Sequence, residues 1–283
     1  MNISVIIPTL NASRVIGPLL SGLLSQDLQP VEIVVVDSSS EDDTTRIAAH
    51  FGARTRIIPK NTFNHGRTRN QAALETEGDT LVFMTQDALP AHNTLLRYLT
   101  APLQDPDIAA TYARQIPRPD ASLLEVFTRH FNYPEQAAVK SMNDLRKLGI
   151  KTFFSSNVCS SMKKECFIKV GMFPETVRAN EDMVITAKYI TNGLKVAYVP
   201  EAQVIHSHKY SLLRQYRRYY NIGSSIRRNR WILNYTHAEG EGMKFIREQI
   251  AFVVRNHKFH LIPYILFESF AKYTGFRMGL VTG

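Results

Sequence analysis

The chain has little of what several protein classes require. Its 283 residues hold two cysteines, Cys159 and Cys166, and no C-x-x-C pair. A disulfide framework or a cysteine zinc site is therefore excluded, and a reducing compartment is expected. No apolar run reaches the roughly 20 residues a bilayer span needs. The run Phe259–Phe267 is far shorter and is interrupted by His260 and Pro263. No Gly-x-Gly-x-x-Gly follows the first apolar run and no P-loop pattern occurs, which argues against dinucleotide and P-loop chemistry. The opening residues Met1–Pro8 carry neither a basic leader nor a small-residue cleavage site. They read as a strand, and no signal peptide is expected. Acidic residues are missing between Ala202 and Ala238.

That last gap is half of a charge asymmetry. Residues 1–201 hold 21 Lys+Arg and 21 Asp+Glu, whereas residues 202–283 hold 13 and 4, so the net charge of +9 comes from the last third. Arginines there alternate with Tyr216, Tyr219, Tyr220 and Trp231. A basic, aromatic segment on a neutral body implies an anionic partner, either nucleic acid or a phospholipid surface. The remaining composition, 44% hydrophobic and 21% charged, is that of a globular protein.

The first 90 residues alternate short apolar runs with helical patterns. Strands are expected at Ile3–Ile7, Val31–Val36, Arg56–Ile58 and Leu81–Met84. Helices are expected from about Val15, from Asp42 or Asp43 through Phe51, and over Thr68–Thr76. Nearly all-apolar strands alternating with helices predict an α/β fold, a mostly parallel central sheet with helices on both faces. Later strands are expected at Ile108–Ala113, within Phe153–Met162 and at Leu194–Val199, with Pro90 and Pro200 as stops. A helix is expected over Glu181–Ile190.

Ligands in such sheets sit outside the carboxyl ends of the strands. That edge would receive Pro8, Thr9 and Asn11 from the first strand, Asp37 and Ser39 from the second, and Gln86 and Asp87 from the fourth. Asp87 alone reads equally as a helix cap or as a site carboxylate. The loop Asn64-His65-Gly66-Arg67-Thr68-Arg69-Asn70 reads as an anion-binding loop. Gly66 would admit a ligand to the backbone, and Arg67 and Arg69 would neutralise phosphate oxygens ahead of a helix N-terminus.

Two stretches, Ile6–Asn11 and Val34–Thr44, resemble the start of family 2 glycosyltransferases with the GT-A fold. Phe63–Asn70 is similar to the rhamnosyltransferase branch, which uses dTDP-L-rhamnose to build bacterial surface polysaccharides. The resemblance covers residues 1–210, taken as the transferase domain, and leaves residues 211–283 as a basic, helical, membrane-attaching extension.

The resemblance implies an inverting transfer onto a hydroxyl of a glycan or lipid-diphosphate-linked glycan. Asp37 would contact the nucleoside, with Pro8, Thr9, Asn11 and Ser39 lining the pocket and His65, Gly66 and Arg69 on the diphosphate. Asp87 would bind Mg2+ or Mn2+ with His206 or His208. Gln86 stands where the family has a further acid, so cation binding is expected to depend on the bound nucleotide. Asp182, with Glu181 second, would be the base, and Ser156 and Asn157 would meet the acceptor. The enzyme is expected at the cytoplasmic membrane face, held by the basic tail at about 1 kcal/mol per cation. The rival within the family is a UDP-sugar donor. The rival outside it is a non-catalytic nucleic-acid-binding protein, which leaves the carboxylates unexplained.

Overall fold

A computed structural model describes residues 1–208, 210–236 and 241–283. Lys209, one of the basic residues counted above, lies outside the described residues. In chain order the elements are β1 (Ile3–Thr9), α1 (Ile16–Leu24), β2 (Glu32–Asp37), α2 (Thr44–His50), β3 (Arg54–Ile57), α3 (His65–Glu75) and β4 (Thr80–Met84). They continue as β5 (Leu89–Pro90), α4 (Leu95–Thr100), β6 (Ile108–Ile116), α5 (Leu123–Asn132), β7 (Ala138–Lys140), α6 (Leu145–Leu148), β8 (Cys159–Lys163) and α7 (Lys164–Lys169). The last are α8 (Glu181–Thr191), β9 (Lys195–Ile205), α9 (Leu212–Arg228), α10 (Glu241–Arg255) and α11 (Ile262–Thr282).

One sheet runs β3-β2-β1-β4-β8-β6-β9-β5, with β7 also on β9. The first four strands are parallel, as expected of their apolar runs. Alternate residues of the same strands feed two cores. Ile6, Val34, Val36 and Phe83 face Ala72 of α3 and Val184 and Ile185 of α8. Val5, Ile7, Val35 and Val82 face Leu19 and Leu20 of α1, Ala48 of α2 and Leu96 of α4. Helices therefore cover both faces.

The sheet becomes mixed beyond β4. Strand β8 inserts antiparallel between β4 and β6, while β6 and β9 are parallel to each other. Neither proline acts as the expected stop. Pro90 lies in the two-residue edge strand β5, opposite Val204, a position where a missing N–H is tolerated. Pro200 lies inside β9, which runs on to Ile205 because the register with β6 shifts between Ala113 and Arg114. Such a bulge leaves Pro200 out of the ladder. Of the run Phe153–Met162, only Cys159 onward joins the sheet.

The expected 64–70 loop is mostly helix. Asn64 caps α3 by accepting from Gly66 N and Arg67 N at 3.0 Å each, so the helix starts at His65. Gly66 is buried against Phe173 and the Pro174 carbonyl, where a Cβ would collide with backbone. Its small size lets residues 173–174 pack against the helix.

After β9, helices α9 and α11 lie against each other closely enough that a Cβ on Gly279 would strike the Tyr220 carbonyl. Helix α10 stacks on α5 through Phe127, Phe131, Phe245 and Phe252. Among the described residues no helix is long and apolar enough to cross a membrane.

Candidate active site

The strand register assembles the first half of the site. Antiparallel β5 pairs Leu89 with Ile205, and parallel β6 pairs Gln115 with Val204. His206 follows β9 directly, so it emerges between Asp87 on one side and Gln115 on the other. The His206 Nε2 lies 3.5 Å from Asp87 Oδ1, and His208 Nε2 lies 3.6 Å from Asp87 Oδ2. The two imidazoles pack edge to face at 4.4 Å between ring centres.

Burial alone would push the Asp87 carboxyl up. The His206 contact and the charges of both histidines outweigh it, and the carboxyl is held at about 2. For His208, burial and then the neighbouring His206 push the imidazole down to about 4, against the pull of Asp87, with Arg129 and Arg218 adding to the depression.

The donor set fits a divalent cation. One ligand atom from each of Asp87, His206 and His208 lies within 4.8 Å of the others. The His206 Nε2 is buried without a hydrogen-bond partner, the condition of a ligand nitrogen waiting for a cation. An ionised carboxylate with two imidazoles is a combination that first-row divalent ions accept.

The second half forms at the start of α8. Glu181 is buried and receives Arg69 Nη1 at 3.0 Å and Asn157 Nδ2 at 3.3 Å. Burial opposes its ionisation, but Arg69 and then His65 overcome it and hold the carboxyl below its ordinary value. Asp182 accepts from Met183 N at 2.8 Å and from Asn157 N at 3.4 Å. There burial, reinforced by the charge of Glu181, wins over those bonds and raises the carboxyl to about 7. Residues 155–157 join the halves: Ser155 Oγ donates to Asp182 O at 3.0 Å, and Ser156 Oγ accepts from Gln115 Nε2 at 2.8 Å.

Several of the expected contact residues are hydrogen-bonded within the protein. Asp37 is 1% exposed, and its oxygens accept from Thr9 Oγ1, Ser40 N and Ser40 Oγ at 2.6–2.9 Å. It ties the β1 and β2 loops together at that edge. Pro8 and Thr9 are part of β1. Asn11 and Ser39 adopt left-handed backbones, φ 49° and 56°, Asn11 accepting from Glu41 N and Ser39 donating to Ile58 O.

Gln86 accepts from Leu10 N at 2.8 Å and donates to Leu10 O at 3.2 Å. An acid could not make the second bond, which gives a structural reason for glutamine there. Arg69 is buried on Glu181 and bonds the His65 carbonyl at 3.2 Å. Arg67 pairs with Glu175 at 3.2 Å. Each arginine is paired with a carboxylate more than a hundred residues away in the chain. Ser156 and Asn157 are buried as well, and they hold Gln115, Glu181 and Asp182 in position.

Three residues were missed. Gln115 of β6 contacts His206, and Arg129 of α5 contacts Gln115, and nothing local in the sequence marks either. Arg218 of α9 was counted as part of the basic tail. Its charge acts on His208 and Tyr133, and its guanidinium lies 5.6 Å from the Tyr210 ring centre.

The family model "Glycosyl transferase family 2" matches residues 4–171. The chain is 39% identical over 282 residues to the O-antigen chain rhamnosyltransferase RfbN of Salmonella typhimurium, covering 99% of this chain and 90% of that protein. It is 38% identical to the O-antigen chain rhamnosyltransferase WbaN of Salmonella anatum, covering 98% and 88%. Among solved structures it is similar in fold to a mannosyltransferase of Pyrobaculum calidifontis in complex with GDP-mannose and Mn2+. That likeness has a TM-score of 0.62 at 16% identity, over 96% of this chain and 87% of the other.

Proposed function

The chain belongs to glycosyl transferase family 2 and is a glycosyltransferase, and from that premise we propose that it moves L-rhamnose from dTDP-L-rhamnose onto a hydroxyl of a glycan or lipid-diphosphate-linked glycan of a bacterial O-antigen type. The observation that carries the proposal is the opposition of two carboxylates. Asp87 is held ionised between two imidazoles, while Asp182 is raised to about 7 at the other end of the 155–157 segment. The near-full-length likeness to rhamnosyltransferases supports the choice of sugar.

In one inverting displacement the acceptor oxygen forms a bond to the anomeric carbon. The bond to the diphosphate breaks, its electron pair leaves with the nucleotide, and the hydroxyl proton goes to Asp182. A carboxyl near 7 suits a base working at neutral pH. Asp87, His206 and His208 would hold a divalent cation, which supplies charge neutralisation for the leaving diphosphate. Two imidazoles favour Mn2+ over Mg2+, whose preferred ligands are oxygens. With three protein ligands, cation affinity should rise once dTDP is bound. The test is a donor panel with Mn2+ and an extract of lipid-linked acceptors, read as released nucleotide. Release from dTDP-rhamnose alone is expected; preference for a UDP-sugar would overturn the choice of donor.

The same reading includes attachment to the cytoplasmic membrane face, with residues 211–283 as the attaching unit. Helix α11 turns Gly275 and Gly279 inward and leaves Leu266, Phe267, Phe270, Tyr273 and Val281 exposed. Exposed Arg214 and Arg217 on α9, with Arg255, Lys258 and Arg277, add positive charge to this unit. Exposed apolar side chains together with cations can seat at the headgroup boundary of an anionic leaflet. Flotation with anionic vesicles at low salt is expected to carry the protein. Equal binding to neutral vesicles would remove the electrostatic part.

A further inference from the structure

Gln115 is buried near the end of β6, and every hydrogen-bonding position of its amide is used. Its Nε2 donates to the Tyr133 hydroxyl at 2.6 Å and to Ser156 Oγ at 2.8 Å. Its Oε1 accepts from Arg129 Nη1 and lies 3.0 Å from His206 Nδ1. A guanidinium has donors only, so Arg129 decides which end of the amide is oxygen. The atom facing His206 Nδ1 is therefore an acceptor, and Nδ1 must carry a proton to meet it. That leaves Nε2 as the lone-pair nitrogen, 3.5 Å from Asp87 Oδ1 and without a hydrogen-bond partner. The same helix also holds the backbone at the second histidine: Glu125 Oε1 accepts from the His208 main-chain N–H at 2.6 Å and pairs with Arg129 at 3.5 Å.

We propose that Gln115, oriented by Arg129, is a positioning residue that holds His206 as its Nδ1–H tautomer, so that the Nε2 lone pair is aimed beside Asp87 for a divalent cation. The proposal rests on the cation reading above. Its consequence is a ligand pair set before any nucleotide arrives, which matters more where one carboxylate serves in place of two. The other end of the amide holds Ser156, whose neighbour Asn157 bonds both Glu181 and Asp182. Gln115 thus fixes the cation side and steadies the base side from one position.

The first measurement is isotope-edited NMR of the histidine ring nitrogens in the cation-free full-length protein, at alkaline pH where the imidazoles are neutral. His206 is expected to carry its proton on Nδ1, and a proton on Nε2 overturns the proposal. The second is Mn2+ affinity by calorimetry. Gln115→Leu is expected to bind about 10–100-fold more weakly, the usual effect of losing such an outer partner. Gln115→Glu keeps an acceptor for both Arg129 and His206, because the hydroxyls of Tyr133 and Ser156 can turn to donate, and is expected to retain the affinity. Wild-type affinity in Gln115→Leu, or equal losses in both variants, overturns the proposal. If Gln115→Leu does not fold, the wild-type spectrum and Gln115→Glu still decide. A wild type that binds no Mn2+ refutes the cation reading, while the spectrum separately decides the tautomer.

Discussion

Asp87 and Asp182 are the same side chain in two environments, and burial works against the charge of both. At Asp87 the neighbours are two histidines, whose positive charge when protonated favours the carboxylate and holds the carboxyl at about 2. At Asp182 the nearest charge is another carboxylate, Glu181, and the backbone bonds from Met183 and Asn157 do not offset it, so the carboxyl rises to about 7. A cation ligand must stay ionised, whereas a base must release and take a proton near neutrality. Environments that drive two like groups apart assign them different work.

The comparison breaks most visibly if the ligand aspartate is removed. Asp87→Ala is expected to cut kcat by about 10³-fold or more, the scale of losing electrostatic support for a leaving group. It should also abolish measurable Mn2+ binding in calorimetry. Retained activity would mean that the imidazole end does not serve the diphosphate.

Removing the proposed base is expected to cost less. Asp182→Asn should lower kcat by about 10²-fold, the lower end for a general base, while Mn2+ affinity stays near wild type. The pH profile carries the sign. Asp182 accepts a proton only when ionised, and its carboxyl is raised to about 7, so kcat/KM should be low in acid and climb through neutral pH. The variant's residual activity should lose that limb. A limb that survives the substitution assigns it to another group.

The gap between the two aspartates can also be narrowed. Glu181→Gln removes the charge that adds to burial at Asp182, so the acidic limb should move to lower pH. The same change leaves Arg69 buried without its carboxylate partner, at a cost in stability of about 3–5 kcal/mol, readable by denaturant titration. A stationary limb in a destabilised but active variant would leave burial as the sole cause of the raised carboxyl.

How far the sequence foretold this contrast follows from contact distance along the chain. Strands β1, β2 and β4 were legible as apolar runs, and their tips delivered Asp37 and Asp87 to one edge. Glu181 and Asp182 were legible as an acidic pair opening a helix. What paired with them was not. Arg69 meets Glu181 across 112 residues and Gln115 meets His206 across 91, and no local pattern encodes such partners. The Arg67–Glu175 pair, 108 residues apart, is equally absent from any local pattern. Pro200 misled for a different reason, because a bulge lets a strand run through a residue that a regular ladder excludes.

Arg218 offers the finest adjustment, since it adds positive charge near the imidazole end. It is exposed on α9, and among the described residues it has no carboxylate partner, only the Tyr210 ring. It belongs by sequence to the basic unit assigned to the membrane, yet its charge helps to depress His208. The two roles separate by measurement. If Arg218 serves the leaving diphosphate, Arg218→Ala should lower kcat on a soluble acceptor about tenfold, equivalent to about 1.4 kcal/mol of transition-state support. Vesicle binding should barely change, because one cation among many is lost. Leu266→Ser with Phe270→Ser should do the reverse, weakening vesicle binding and leaving kcat on the soluble acceptor intact. If Arg218→Ala instead weakens vesicle binding and spares kcat, the arginine belongs to the membrane face, and the imidazole end keeps Asp87 ionised without help from the last helices.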